Sequence, residues 1–165
     1  MVVPITIRQC EATDLPDLEW FGLFSAYRSL FQETFHRQRA GEVSMLVAVA
    51  NGFPIGQVWL DFSRKRSAGI GIIWALRLMP AWQNHGIGTR LLASAEDILR
   101  QQGFVIAELG VSKPNTAAQR LYERLGYGVV GEEDDGWDYQ DLTGQMVHVE
   151  DPCWIMQKSL GPSRS

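Results

Sequence analysis

The stretch Leu76-Arg-Leu-Met-Pro80-Ala-Trp-Gln83-Asn-His-Gly86-Ile-Gly88-Thr-Arg90 has the spacing that points most directly to chemistry. An apolar run ends at Pro80, a short turn follows, and two spaced glycines open an amphipathic helix. Peptide N–H groups in the first turn of a helix lack intrahelical partners, and with the helix dipole they form an anion site. Glycine removes the Cβ that would hold a phosphate at a distance. Gln83-x-x-Gly86-x-Gly88 therefore describes a cradle for a pyrophosphate, with a plain strand-to-helix turn as the alternative. A second stretch, Leu109-Gly-Val111-Ser-Lys-Pro-Asn115-Thr-Ala-Ala118-Gln-Arg-Leu121-Tyr122-Glu-Arg-Leu125-Gly126-Tyr127, reads as an apolar strand, an Asn that opens a helix, a Tyr one face later and a Gly exit. Asn115 suits an N-cap. The phenol of Tyr122, with an ordinary pKa of about 10, is a feasible proton donor at neutral pH.

The elements that must position these groups follow from local pattern. Ile5 and Ile7 alternate with Thr6 and Arg8 as a short strand. Thr13 or Asp14 caps a helical region between residues 14 and 40, read as one broken or two short helices with Gly22 near the break. Residues 43–50 and 53–62 are strands joined by Asn51-Gly52, a strong hairpin signal. Residues 68–79 form a long apolar strand. Ile87, Leu91, Leu92, Ala95, Ile98 and Leu99 make a helical stripe that Gly103 ends. Residues 104–111 are a buried strand, 114–125 a helix closed by Gly126, 127–131 the start of a strand and 153–160 a closing strand. Residues 132–151 are acidic and carry no clear period. This order implies an α/β fold, a mixed sheet with helices on both faces.

Bulk properties narrow the class. The 165 residues suit a single domain over 1–160 with a disordered tail at 161–165. A net charge of −4 and a pI near 5.3 argue against a general nucleic-acid binder. Cys10 and Cys153 stand far apart in unlike contexts, which gives no metal or disulfide motif. No apolar run is long enough for a membrane span and no signal peptide is visible, so the cytoplasm is the expected location. A Rossmann dinucleotide fold is rejected, because its glycines follow the first strand and here they follow the fourth.

The two stretches, in this order, resemble motifs A and B of the GNAT superfamily of N-acetyltransferases, and the resemblance covers nearly the whole chain. It implies a central mixed, mostly antiparallel β-sheet with splayed central strands. It implies an acyltransferase that takes acetyl-CoA as co-substrate and needs no metal. The pyrophosphate would sit on backbone N–H groups of Asn84, His85, Gly86, Ile87, Gly88 and Thr89, with Gln83 at the entrance. Asn84 stands where many members carry Gly, and Asn tolerates unusual backbone angles. His85 is otherwise a plain loop residue. Leu76 and Leu78 would bind the pantetheine arm through their backbones, with the Leu78 N–H donating to the thioester carbonyl. Asn115 would also touch the cofactor arm, and Tyr122 would protonate the leaving thiolate. The general base is open: Glu108 and Asp61 are candidates, each with a solvated strand residue as the alternative, and a water chain is equally allowed.

The acceptor side would be built from the early helices and the end of the chain, where Phe24, Tyr27, Asp61, Asp138 and Trp154 are the substrate candidates. Acids between aromatics, including Trp137, suit a cationic amine. The expected reaction is transfer to a primary amine of a small cationic molecule of the aminoglycoside, streptothricin or polyamine kind. Two alternatives stay open, a protein or peptide N-acetyltransferase and a non-catalytic acyl-CoA-binding module. Pairing of the closing strand between protomers would give a homodimer.

Overall fold

The structure is a computed structural model that describes residues 3–161. The tail expected at 161–165 lies, beyond Gly161, outside the described residues. The described residues divide into two compact units, residues 3–107 with 160–161, and residues 108–159.

In the first unit β1 (Ile5–Gln9), β2 (Val43–Ala50), β3 (Phe53–Lys65) and β4 (Ile70–Leu78) pair antiparallel in chain order. Asn51 and Gly52, with φ of 51° and 77°, make the left-handed turn between β2 and β3, whose twist matches the flanking strands. β3 runs past the expected end at Phe62 because Lys65 still pairs with Ile70.

Side chains alternate across these strands. Met45 opposes Trp59 on one face, where Val47 and Leu18 join a core against Phe31 of α1 (Arg28–Arg39). The Phe31 and Trp59 rings meet edge to face at 5.5 Å. Leu46, Val58 and Leu60 take the opposite alternation and are fully or nearly fully buried. That face is covered by α2 (Ile87–Gln101), whose Leu91, Leu92, Ala95 and Leu99 are buried. A Cβ on Gly71 would lie 2.3 Å from Leu99 Cδ2, so any side chain there would force the buried Leu99 to shift.

The helices expected from residue 14 onward do not form until Arg28. Three 3₁₀ turns at Ala12–Asp14, Asp17–Glu19 and Ser25–Tyr27 precede α1. The cause is tertiary. Trp20 is buried with its indole N–H on the Pro54 carbonyl at 3.0 Å, and Trp20, Phe21 and Gly22 take φ of 46°, 58° and 92°. Arg28 closes the loop with two bonds of 2.9 Å to Glu19.

In the second unit β9 (Pro152–Ser159) lies between β5, which spans Ile106–Ser112 and so begins at the end of the first unit, and β6 (Gly128–Asp134). α3 (Thr116–Arg124) connects β5 to β6. The acidic 132–151 stretch resolves into the end of β6 and a hairpin of β7 (Trp137–Gln140) and β8 (Met146–Val149). Asp141 Oδ1 builds its turn by accepting from Thr143 and Gln145 N–H groups. Because β9 is paired on both sides, a dimer through this closing strand would have to displace β5 or β6.

His148 clamps that hairpin, with Nδ1 2.6 Å from Asp138 and Nε2 2.9 Å from Asp134. Hydrogen bonds to Asp134 and then Asp138 raise the imidazole pKa, and the His148 bond, with N–H groups of Asp151 and Gly136, lowers Asp134 to about 2. A raised folded-state pKa gives stability that is present below the free value of about 6.5 and lost as pH rises through the folded value. A depressed carboxyl gives stability present above about 3.9 and lost as pH falls further. The clamp is therefore complete between about pH 4 and 6.5. Proton NMR should show His148 titrating above 6.5, with Asp138→Asn lowering its midpoint. An unshifted midpoint in the unaltered protein would show that the clamp does not hold in solution.

Candidate active site

The cradle is built where β4 gives way to α2. Pro80–Trp82 forms a 3₁₀ turn, and Gln83 Nε2 donates to the Leu78 carbonyl at 3.2 Å, tying the loop to the strand end. Asn84 and Gly86 both take left-handed backbone, with φ of 64° and 79°. No side chain caps α2 at Gly86, so its first-turn N–H groups have no intrahelical partner. A Cβ on Gly86 would meet no atom within 4 Å, so the space before the helix is open. Gln83, Asn84, His85, Gly86 and Thr89 are exposed, Gly88 is half-buried, and Ile87 turns its side chain into the core. No acid stands in the first turn of α2. This donor set, uncapped and without negative charge, fits a diphosphate.

β4 carries a bulge just before the cradle. Gln57 pairs with Arg77 and Trp59 with Trp74, so two residues advance on β3 while three advance on β4. Ala75 absorbs the extra residue with φ of 56°, a conformation that costs a non-glycine residue about 1–2 kcal/mol. Ala75 and Leu76 fall outside the register. The Ala75 carbonyl accepts from Gln57 Nε2 at 3.2 Å. At the strand end the Met79 N–H donates to the Ile55 carbonyl at 2.9 Å. Backbone groups alternate in direction along a strand, so the Leu78 N–H is aimed away from β3.

The bulge also decides where side chains go. Trp74 and Arg77 are three apart, yet both fall on the face of Gln57 and Trp59. There a hollow of about 150 Å³ opens, walled by Phe24, Tyr27, Phe31, Trp59, Trp74 and Arg77. Arg77 lies 4.0 Å from the ring centroids of both Trp20 and Phe24. Its Nη2 donates to the Leu18 carbonyl at 2.9 Å and to Gln57 Oε1 at 3.0 Å. Burial lowers the guanidinium pKa to about 10. Among the described residues, Arg77 Nη1 and the indole Nε1 atoms of Trp59 and Trp74 are buried with no hydrogen-bond partner. A buried donor left unpaired costs about 1–3 kcal/mol.

Phe24 and Tyr27, expected beside the acceptor, line this hollow. Asp61 does not. It is buried at 2% exposure and accepts from Arg37 at 3.1 Å and from Ser63 N–H and Oγ, both at 2.8 Å. Burial disfavours its charge, but these bonds and one from the Arg64 N–H outweigh that and hold its pKa below the usual range. Trp59, Trp74 and Arg77 were not anticipated. The available signal was a lone arginine inside the apolar run 70–79.

In the second unit Asn115 caps α3, its Oδ1 accepting from the Ala118 N–H at 3.1 Å. Tyr122 stands on α3 with its ring 6.1 Å from Tyr127, and burial raises its phenol pKa. It therefore holds its proton at neutral pH. Glu108 on β5 is buried, not solvated, and accepts from Gln157 Nε2 at 2.9 Å. Trp154 has the Lys113 ammonium 4.2 Å from its ring centroid, and Lys113 also pairs with Glu132. Asp138 is engaged by His148. The side chain of Trp137 lies outside the described residues.

Known proteins agree with this architecture. The model of the acetyltransferase (GNAT) family matches residues 10–127. An uncharacterized N-acetyltransferase of Bacillus subtilis, YhfO, is 31% identical over 145 residues, covering 81% of this chain and 93% of its own. The aminoalkylphosphonate N-acetyltransferase of Salmonella typhimurium is 35% identical over 83 residues, covering 49% of this chain and 54% of its own. A phosphinothricin acetyltransferase of Sinorhizobium meliloti, solved in complex with acetyl-CoA, superposes with a TM-score of 0.73 at 19% identity, over 95% of this chain and 89% of that one. The chain belongs to the acetyltransferase (GNAT) family and has its mixed α/β fold; it is an N-acetyltransferase.

The cradle yields a direct test. Gly86→Glu puts bulk and negative charge in front of the α2 amides, and acetyl-CoA affinity should fall at least a hundredfold by calorimetry while the thermal transition stays cooperative. Retained affinity would remove the diphosphate from this loop.

Proposed function

We propose that this protein, placed in the cytoplasm, transfers the acetyl group of acetyl-CoA to a primary amine of a small molecule by direct attack on the thioester. The observation that carries the reading is the uncapped N-terminus of α2 directly after the bulged end of β4. The diphosphate lies on the N–H groups of residues 84–89, with Gln83 fixing the loop. The backbone of Leu76 and Leu78 holds the pantetheine arm, and the outward Leu78 N–H donates to the thioester carbonyl. Such a preorganised donor acts where negative charge develops. Asn115 spends its oxygen on the α3 cap, which leaves its amide N–H groups for the cofactor arm.

The amine nitrogen forms a bond to the acyl carbon and the C–S bond breaks. The electron pair leaves on sulfur, and Tyr122 supplies the proton that makes the free thiol. Glu108 takes the ammonium proton before attack, and the second N–H proton, shed as the amide forms, returns to the Tyr122 phenolate. Glu108 is preferred to Asp61, whose carboxylate already serves Arg37, Ser63 and Arg64. No metal enters the chemistry. We read residues 1–160 as one catalytic domain, supported by a family match over residues 10–127 that takes in most of the first unit and the start of the second.

A small acceptor is supported by the size and aromatic lining of the hollow around Phe24 and Tyr27. It is also supported by the Salmonella relative, which is an acetyltransferase of aminoalkylphosphonates. Polycationic amines of the aminoglycoside, streptothricin or polyamine type are the alternative within the same reading, resting on the acidic 132–141 stretch. Release of CoA thiol from acetyl-CoA across a panel of such amines, amino acids, aminoalkylphosphonates and short peptides tests the reading. Amine-dependent release is expected, and none across the panel would sink it.

Tyr122→Phe should lower kcat about a hundredfold, within the range for general acid catalysis, and leave acetyl-CoA affinity nearly intact. Because burial raises the phenol pKa, loss of the acid form should depress the rate only above pH of about 10. On the acid side the rate should rise with pH as the amine deprotonates. An unchanged kcat in the variant, with chemistry limiting, would take Tyr122 out of the mechanism.

A further inference from the structure

The hollow on the Trp59 face of the sheet is walled by aromatic rings, and the surface it presents is almost wholly apolar. Its rings stand nearly square to one another. Trp59 and Trp74 meet at 84° with centroids 4.7 Å apart, and Phe31 meets Trp59 at 81° and 5.5 Å. Tyr27, tilted 45° against Phe24, and Leu30 are partly exposed at its mouth. Aromatic rings favour edge-to-face and offset contacts, and walls set square offer both to one more ring. An apolar protein cavity of about 150 Å³ takes up a benzene molecule, and this hollow has a volume of about 150 Å³. A whole ligand pocket is roughly 300–1,000 Å³, so the rest of the ligand lies outside it.

Charge decides which end of an amine enters. No acid lines the hollow among the described residues, and its one charged neighbour is Arg77. That guanidinium lies 4.0 Å from the centroids of Trp20 and Phe24, with Nη2 on the Leu18 carbonyl and Gln57 Oε1. The Phe24 ring thus already serves a cation, and a second cation at close range is repelled. The apolar end of an acceptor therefore enters and its amine stays outside. Ala75 and Arg77 line the hollow three residues and one residue before Leu78, about 10 Å and 3 Å along a strand. A short aliphatic spacer covers that range. We infer that the hollow seats an aromatic ring of the acetyl acceptor, so that the acceptor is an arylalkylamine whose ring is recognised by Phe24, Tyr27, Trp59 and Trp74. The word acceptor rests on the acetyl-transfer reading, while the ring site stands on the hollow alone.

The site is read directly by titrating the unaltered protein with phenethyl alcohol, an uncharged probe, or with putrescine, and following the indole N–H signals in nitrogen-15 NMR. Saturable shifts of the Trp59 and Trp74 signals with phenethyl alcohol, and none with putrescine, are expected. Signals that phenethyl alcohol leaves in place, or that putrescine moves as far, would overturn the inference whatever the enzyme turns over.

Kinetics then tie the site to the acceptor. Phenethylamine should exceed ethylamine and putrescine at least tenfold in kcat/KM, within the range by which an apolar pocket discriminates. Leu30→Trp, on the exposed side of α1, should plug the mouth and bring that ratio close to one, with acetyl-CoA affinity intact. Tyr27→Ala removes one wall and should lower the ratio in the same direction, mainly through KM. A change that merely loosened α1 would slow every amine and keep the ratio. A preference of the unaltered protein for ethylamine or putrescine would overturn the assignment, and so would a ratio that both variants keep. If no amine releases thiol, acetyl transfer falls instead, and the NMR titration alone decides whether the hollow takes a ring.

Discussion

The extra residue in β4 is the constraint on which the site depends. One residue more on β4 than on β3 between two aligned pairs shifts the alternation of everything after Ala75. In a regular strand Trp74 and Arg77 would fall on opposite faces. With the bulge they share one, and Leu78 takes the other, where its Cδ1 would be 3.5 Å from a Cβ on Gly88. Leu78 can therefore pack against the start of α2 while its neighbour enters the aromatic hollow. The left-handed Ala75 costs about 1–2 kcal/mol, the kind of local strain that clusters where a fold serves a site.

Arg77 carries a second tension. A buried cation is costly unless paired, and burial has already pulled its pKa down to about 10. It still remains charged at neutral pH. The two rings at 4.0 Å supply cation–π attraction, which strengthens when solvent is excluded. This arrangement holds the charge in place without neutralising it. By contrast, Asp14 is claimed by Arg8 at 2.7 Å, Glu19 by Arg28 at 2.9 Å and Asp61 by Arg37 at 3.1 Å. In the first unit the buried acids have partners and the cation of the hollow keeps a free edge.

Much of the frame was legible because it is local chemistry. Asn51-Gly52 makes the turn that its residue types demand. The Leu91–Leu99 stripe forms the buried face of α2, and Asn115 caps α3 through its own side chain. What was not legible depends on contacts distant in sequence. The helical spacing of Leu18, Phe21 and Phe24 loses to the burial of Trp20 against Pro54 and to the left-handed run that follows. The bulge has no local signal, since alanine has no preference for positive φ. Without it the face of Arg77 could not be assigned. Two of the candidate substrate acids, Asp138 and Asp61, are engaged by His148 and Arg37, partners distant in sequence that local pattern does not reveal.

Three successive parts of one strand end thus address three directions. The Arg77 side chain enters the hollow, the Leu78 side chain braces α2, and the Leu78 N–H leaves the edge of β4 away from β3. The Leu78 carbonyl, aimed to that same side, is taken by Gln83, so the loop that forms the cradle is registered on the residue that offers the N–H. In the proposed reaction, an acceptor seated in the hollow beside Phe24 and Tyr27 and a thioester met by Leu78 would both be referred to the same strand. Adjacent peptide units are stiff, and a fixed spacing of this kind limits which amines can reach the acyl carbon. On that proposal the reach from the hollow to the acyl carbon is a length set by β4, because both would be measured from it.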